Sequence, residues 1–253
     1  MNSDTVEFIP ANDAERLAMI RRYDILDTPA DGTFDRITRL AAALFQVPIS
    51  IVSIVDHDRI WFKSKHGLDV TEIGRDPGLC ASAILDDELW LIEDAKTDPR
   101  ALSNPLVAGE FGLRFYAGVP LKVADHNFGT LCIIDRQPRT MTDTERQVLN
   151  DLAALVCDEI ELRLTARQVA ADARYKLDLA DQRTGQVAQL NDDIVQVLSV
   201  AKLSLQMGEA EKALPAIDSA LEASKSLLAD LTVEAQSLRR SKPALESIAE
   251  PRA

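Results

Sequence analysis

With 253 residues, 46% of them hydrophobic, the chain has material for one or two domains with a real core. Its 41 acidic residues outnumber its 28 Lys and Arg, giving a formal net charge of -13, which disfavours nucleic acid or an anionic membrane as main partner because both require a basic surface. No run of about 18 apolar residues offers a membrane span, Met1 to Pro10 lacks the basic and apolar regions of a signal peptide, and Cys80, Cys132 and Cys157 follow neither a metal spacing nor a paired framework, so a reduced cytoplasm is the expected compartment.

In chain order, Asn12-Asp13-Ala14-Glu15 caps a helix running to about Tyr23, with Leu17 and Ile20 on one face. Asp31 or Thr33 caps the next, where Phe34, Ile37, Leu40, Ala41 and Leu44 recur at helical spacing. Pro48 to Val55 alternates and is β-branched, which predicts a strand; Asp56 to Arg59 turns it, and Ile60 to Ser64 returns as a hairpin. A short helix over Ala81 to Ile84 and a strand over Leu89 to Ile92 follow. Two further strands, Phe115 to Leu121 and Gly129 to Asp135, are joined by the polar turn Ala124 to Asn127. Helices, hairpin, crossover, hairpin and a terminal helix describe an α+β fold, an antiparallel sheet with flanking helices.

Several motifs in that order resemble the GAF sensor domain of bacterial signalling proteins: Arg22-Tyr23-Asp24-Ile25-Leu26-Asp27-Thr28-Pro29, Phe34-Asp35-Arg36-Ile37, Val52-Ser53-Ile54-Val55-Asp56, Trp61-Phe62-Lys63-Ser64, Arg114 to Leu121 and Gly129 to Asp135. The resemblance covers roughly residues 12 to 165. It implies a small-molecule pocket between the sheet and one layer of helices and loops, with Arg75 to Ile84 as the pocket loop. The commoner version of that loop reads Ser-Phe-Cys-Ala-His; here Gly78, Leu79 and Ser82 stand at its Ser, Phe and His. Trp61, Cys80, Ser82, Tyr116, Cys132 and Asp135 are the candidate lining residues, with Cys132, inside an apolar strand, the one that reads best as plain core. Some relatives reduce methionine sulfoxide through thiols and others attach a bilin. Cys80 is the thiol with a chance of exposure, whereas Cys132 and Cys157 fall on buried positions of their patterns. His57, His66 and His126 read as solvated turn or loop residues, and no metal or cofactor is assigned.

The second half is helical. Thr142-Asp143-Thr144-Glu145 is a capping box. From Val148 to Leu205 apolar residues step by three and four, no proline falls between Thr140 and Gly208, and only Gly185 interrupts the stretch. A helix from 143 to 207 would be on the order of 95 Å long and must bury its stripe against a partner. A second helix, about Glu209 to Arg239, carries its own stripe, so two hairpins make a dimeric four-helix bundle. Leu190-Asn191-Asp192-Asp193-Ile194-Val195-Gln196 resembles the phosphoacceptor helix of histidine kinases, whose His-Asp pair is followed by a Gln. Asn191 stands at the His position, with Asp192 and Gln196 as its company, and an amide nitrogen cannot take the phosphoryl group because its lone pair is delocalised. No histidine lies in the bundle, and too few residues follow Arg239 for an ATP-binding domain.

The expected organisation is therefore an N-terminal tail (1–11), a GAF sensor domain (12–165), a coiled-coil hairpin of the kinase dimerisation type (166–240) and a disordered tail (241–253). The expected function is non-catalytic signal transduction: a homodimer that senses a small molecule or partner and relays it to a kinase, response regulator or other signalling protein. The alternatives are a thiol-dependent methionine sulfoxide reductase working through Cys80, or a structural dimeric scaffold with no ligand.

Overall fold

In a computed structural model, the described residues are 9–76, 78–102, 104–209, 211–226 and 228–229. The expected disordered tail, most of the N-terminal tail and the end of the second hairpin helix lie outside them. The chain divides into two compact units, Met1–Gln168 and Val169–Ala253.

The first unit is built on one six-stranded antiparallel sheet, in the order β3-β2-β1-β6-β5-β4. Its strands are β1 (Ile49–Val55), β2 (Arg59–His66), β3 (Glu72–Gly74), β4 (Trp90–Ile92), β5 (Phe115–Val123) and β6 (His126–Asp135). The short strand β3 was not foreseen: three residues with one inward apolar side chain, Ile73, carry too little pattern to read. The β1–β2 hairpin contains a bulge between Val52 and Ser53, and Gly129 admits the neighbouring strand because a Cβ there would sit 1.8 Å from the Ser53 carbonyl oxygen.

Both faces of the sheet are apolar, which explains why β1 is buried at every position. Side chains alternate faces along each strand. Val52, Ile54, Trp61, Phe115, Ala117, Val119, Leu131 and Ile133 share one face. Helices α1 (Asp13–Tyr23), α2 (Gly32–Phe45) and the start of α5 (Asp143–Gln206) cover it, the last through Leu149, Leu152, Val156 and Ile160. Ile51, Phe62, Tyr116, Cys132 and Ile134 point to the other face, under α3 (Leu79–Ala83) and α4 (Pro105–Ala108).

Local chemistry sets the helix ends. Asp31 caps α2 by accepting from the Thr33 amide at 2.9 Å. The capping box at α5 is complete: Thr142 N donates to Glu145 at 2.8 Å and Glu145 N donates to the Thr142 hydroxyl at 3.2 Å. On α2 the buried stripe runs Phe34, Ile37, Thr38, Ala41, Ala42 and Phe45, while the expected Leu40 and Leu44 are exposed. They fall off the 100°-per-residue arc that the other six define.

In the second unit, α5 ends in a tight reversal. Gly208 adopts a left-handed φ of +82°, and the Glu209 amide reaches back to the Ser204 carbonyl at 2.9 Å. A further helix, α6 (211–226), follows. Ala201, Ala213 and Ala220 are buried, so small side chains mark the close approach between helices of this unit. Leu190, Leu198, Leu205, Leu214 and Leu221 remain exposed.

Candidate functional site

On the α3/α4 face of the sheet lies a cavity of about 420 Å³. Its floor is Ile51, Phe62, Tyr116 and Ile134 from four strands. Its roof is Leu79 and Cys80 of α3, Leu106 of α4, Phe111 and Leu113 beyond it, and Leu68, Val70 and Ile73 from the segment entering β3. The wall holds no Lys, Arg or His, and its polar side chains are Asp69, Cys80 and Tyr116. Such a lining favours an apolar small molecule and offers no cation to a phosphate or a free carboxylate.

The polar side of the cavity rests on a compact buried cluster. The Tyr116 hydroxyl donates to the Cys80 sulfur at 3.4 Å, and the Cys80 and Cys132 sulfurs lie 3.9 Å apart. Ser53 and Thr130, opposite each other on β1 and β6, bond through their hydroxyls at 3.0 Å on the same face. Tyr116 and Cys132 are fully buried and Cys80 is 6% exposed. The Cys132 thiol beside Cys80 pulls the Cys80 pKa down; burial opposes it, and the Thr130, Tyr116 and Ser53 hydroxyls assist it. That same contact, together with burial, pushes Cys132 well up. Burial pushes the Tyr116 hydroxyl up as well, so it remains a donor. The Tyr116 ring also meets Trp90 edge-on at 5.5 Å.

Of the side chains predicted to line the pocket, Cys80 and Tyr116 do so. Trp61 lies on the opposite face, in the core under α1, α2 and α5, because it occupies the other parity of β2 from Phe62. Asp135 is engaged elsewhere: it accepts from Arg139 Nε at 2.5 Å and from the Gln137 amide at 3.1 Å. Ser82 is half-buried on α3 and is not part of the wall. Cys80 is buried rather than exposed, and Cys157 is half-buried on α5. Nothing in the sequence signals the association of Cys80 with Cys132. In the observed register Cys132 shares the face of Tyr116, and only the packing of α3 brings a residue 52 positions away onto it.

A larger cleft of about 650 Å³ opens beside Trp61, Lys63 and Asp35. Arg39, Lys63 and Lys65 line it, and Lys63 Nζ donates to the Thr28 hydroxyl at 2.7 Å and to the Pro29 carbonyl at 2.9 Å. The cavity under α3 and α4, with its largely apolar lining, is the stronger candidate for a small-molecule site.

Asn191, Asp192 and Gln196 are exposed on α5 in the second unit. Among the described residues no group of three or more His, Cys, Asp or Glu is arranged to hold a metal ion, and no helix is long and apolar enough to cross a membrane.

The model of the GAF domain family matches residues 29–160, just over half of the 253 residues. The chain belongs to that family. A cyclic di-GMP phosphodiesterase of Pseudomonas aeruginosa is 40% identical over 153 residues, which is 60% of this chain and 26% of that protein. The chain thus spans about a quarter of that relative's length. Among solved structures, the GAF domain of PixJ from Thermosynechococcus elongatus is 16% identical, covers 62% of this chain and 95% of its own, and superposes with a TM-score of 0.47. The free methionine-R-sulfoxide reductase of Neisseria meningitidis is 18% identical, covering 66% and 95%, with a TM-score of 0.46.

Proposed function

We propose that this chain is the sensory part of a signalling protein whose GAF domain takes a small, apolar molecule into the cavity beside Tyr116 and Cys80. The observation that carries this reading is the cavity itself: about 420 Å³, within the usual range for ligand sites, with an overwhelmingly apolar wall. Occupancy would favour one packing of the α3/α4 layer over another, a population shift paid for by the ligand's differential affinity. The relative's name, a cyclic di-GMP phosphodiesterase, supports a signalling context for the matched segment.

The output in this reading is non-catalytic. α5 starts in the first unit and ends in the second, where Leu190, Leu198, Leu205, Leu214 and Leu221 are exposed. A second copy of the same helices would cover them in a four-helix bundle. Asn191, beside Asp192 and with Gln196 five residues on, then occupies the phosphoacceptor position of a kinase-like bundle without its chemistry, leaving dimerisation and docking of a kinase, response regulator or other signalling protein as its role. A reductase acting on free methionine sulfoxide fits the wall less well, since a zwitterion calls for a cation that the wall lacks.

Heat-shift screening of the full chain tests the sensor. Saturation at about a hundredfold above Kd adds roughly 2.7 kcal/mol, a shift of several degrees. Apolar metabolites should produce it. A screen in which only charged nucleotides or amino acids do so overturns the assignment.

A further inference from the structure

We infer that Cys80 and Cys132 form an oxidation site, at which a small peroxide entering the cavity converts the two thiols into an intramolecular disulfide. Three independent observations meet here. The sulfurs are 3.9 Å apart, which must shorten to about 2.05 Å in the bond, a movement of about 2 Å. Their access differs: Cys80 is part of the cavity wall, whereas Cys132 is completely buried behind it. Their surroundings are polar for a core, with the Tyr116 hydroxyl on Cys80 and the Ser53–Thr130 hydroxyl pair on the same face. Buried cysteines that only fill space do not need hydroxyl donors; a thiolate does.

The elements differ in freedom as well. Cys132 is locked in the middle of the sheet, opposite Ile51 of β1 and Gly118 of β5. Cys80 sits on a five-residue helix, the element that can yield. The first reaction is attack of the Cys80 thiolate on a peroxide oxygen: the S–O bond forms, the O–O bond breaks, and hydroxide leaves. The Cys132 sulfur then attacks the Cys80 sulfenic acid; the S–S bond forms, the S–O bond breaks, and the second hydroxide leaves. The two thiol protons end on the two hydroxides, so two thiols and one hydrogen peroxide give one disulfide and two waters.

Closing the bond draws α3 toward β6 and takes from the Tyr116 hydroxyl the thiol it donates to. Both changes occur at the cavity wall, so the oxidised and reduced proteins differ in the shape they offer a ligand. The thiol pair itself does not depend on the ligand assignment and is testable with the cavity empty.

The experiment uses the reduced full chain carrying Cys157→Ser, which leaves two thiols, treated with hydrogen peroxide alone. The expected result is a loss of about 2 Da, two hydrogens, with the Cys80 and Cys132 peptides joined and reversal by dithiothreitol. Proximity should make the reaction about tenfold or more faster than in the same chain unfolded in urea. Adding Cys132→Ala should abolish the mass loss and leave a dimedone-reactive sulfenic acid at Cys80. Two thiols that remain alkylatable after excess peroxide, a link formed between chains instead of within one, or a rate no greater than in urea would each overturn the inference. The parent protein decides the matter by itself if the Cys132→Ala variant does not fold.

Discussion

A Cβ added at Gly118 would lie 2.4 Å from the Tyr116 hydroxyl oxygen. The two residues are on the same face of β5, and the absent side chain is the space in which the Tyr116 ring lies toward Cys80. Gly118→Ala therefore forces the ring away. It should cost about 1–3 kcal/mol, the usual range for overpacking, and raise the midpoint pH of Cys80 alkylation, because the thiolate loses a donor. Urea unfolding and a pH series of alkylation in the Cys157→Ser background check both.

At the start of the first unit, Asp13 holds two arginines. Its carboxylate accepts from Arg16 Nε at 2.8 Å and from Arg75 at 3.1 Å, and Arg16 is 1% exposed. Burial alone would raise the Asp13 pKa, but the hydrogen bonds from Arg75 and Arg16 outweigh it and hold it below the ordinary 3.8. A depressed carboxylate pKa stabilises the fold above the unfolded value and loses that contribution as pH falls through the folded one. Asp13→Asn should cost about 1–3 kcal/mol at neutral pH, since it removes the carboxylate shared by two guanidinium groups, which keep the carbonyls of Val55, Asp56 and His57 as acceptors. Between pH 4 and lower values, by contrast, the variant should lose less stability than the parent. Thermal unfolding at pH 7 and at pH 3 to 4 checks the sign.

Asp31 does two jobs. It caps α2 at the Thr33 amide and accepts from Arg163 of α5, whose guanidinium also lies 4.8 Å over the Phe34 ring. Asp31→Ala should cost about 1–2 kcal/mol, most of it the cap. In a double-mutant cycle with Arg163→Ala the coupling should be about 0.5–1 kcal/mol, because the pair is only partly buried.

The helical unit makes its own prediction. Leu198 is 44% exposed, yet it belongs to the stripe that a second copy would cover. Leu198→Glu should shift the light-scattering mass from near twice the 27.8 kDa chain to the single-chain value, while Asn191→Ala leaves it unchanged. A parent protein that already scatters as one chain contradicts the bundle.

Much of the sheet was legible because its code is local: alternation in β1, β5 and β6 and the turn at Ala124–Asn127 are short-range signals. The capping box at Thr142 is a four-residue pattern and is present as read. The cavity was legible only in part. Tyr116 and Cys80 were named through the resemblance, but Leu106, Phe111 and Leu113 come from a segment whose single short helix, α4, is too brief for any periodicity to announce. Trp61 is expected beside Cys80 and Tyr116 but lines the larger cleft on the other face, because an aromatic next to Phe62 gives no sign of which parity points to which face until both faces of the sheet are known to be covered. The Cys80–Cys132 approach depends on tertiary packing and has no local signal.

The most direct test of the sensor assignment is native mass spectrometry of the protein purified from its own cells, beside a Leu106→Trp variant that fills the cavity from a half-buried position. The parent should carry an additional non-covalent mass, released on denaturation and recovered as a small apolar molecule, and the variant should carry none while keeping its unfolding midpoint within a few degrees. The same bound molecule on both proteins, or retention of a charged metabolite by the parent, would contradict the account.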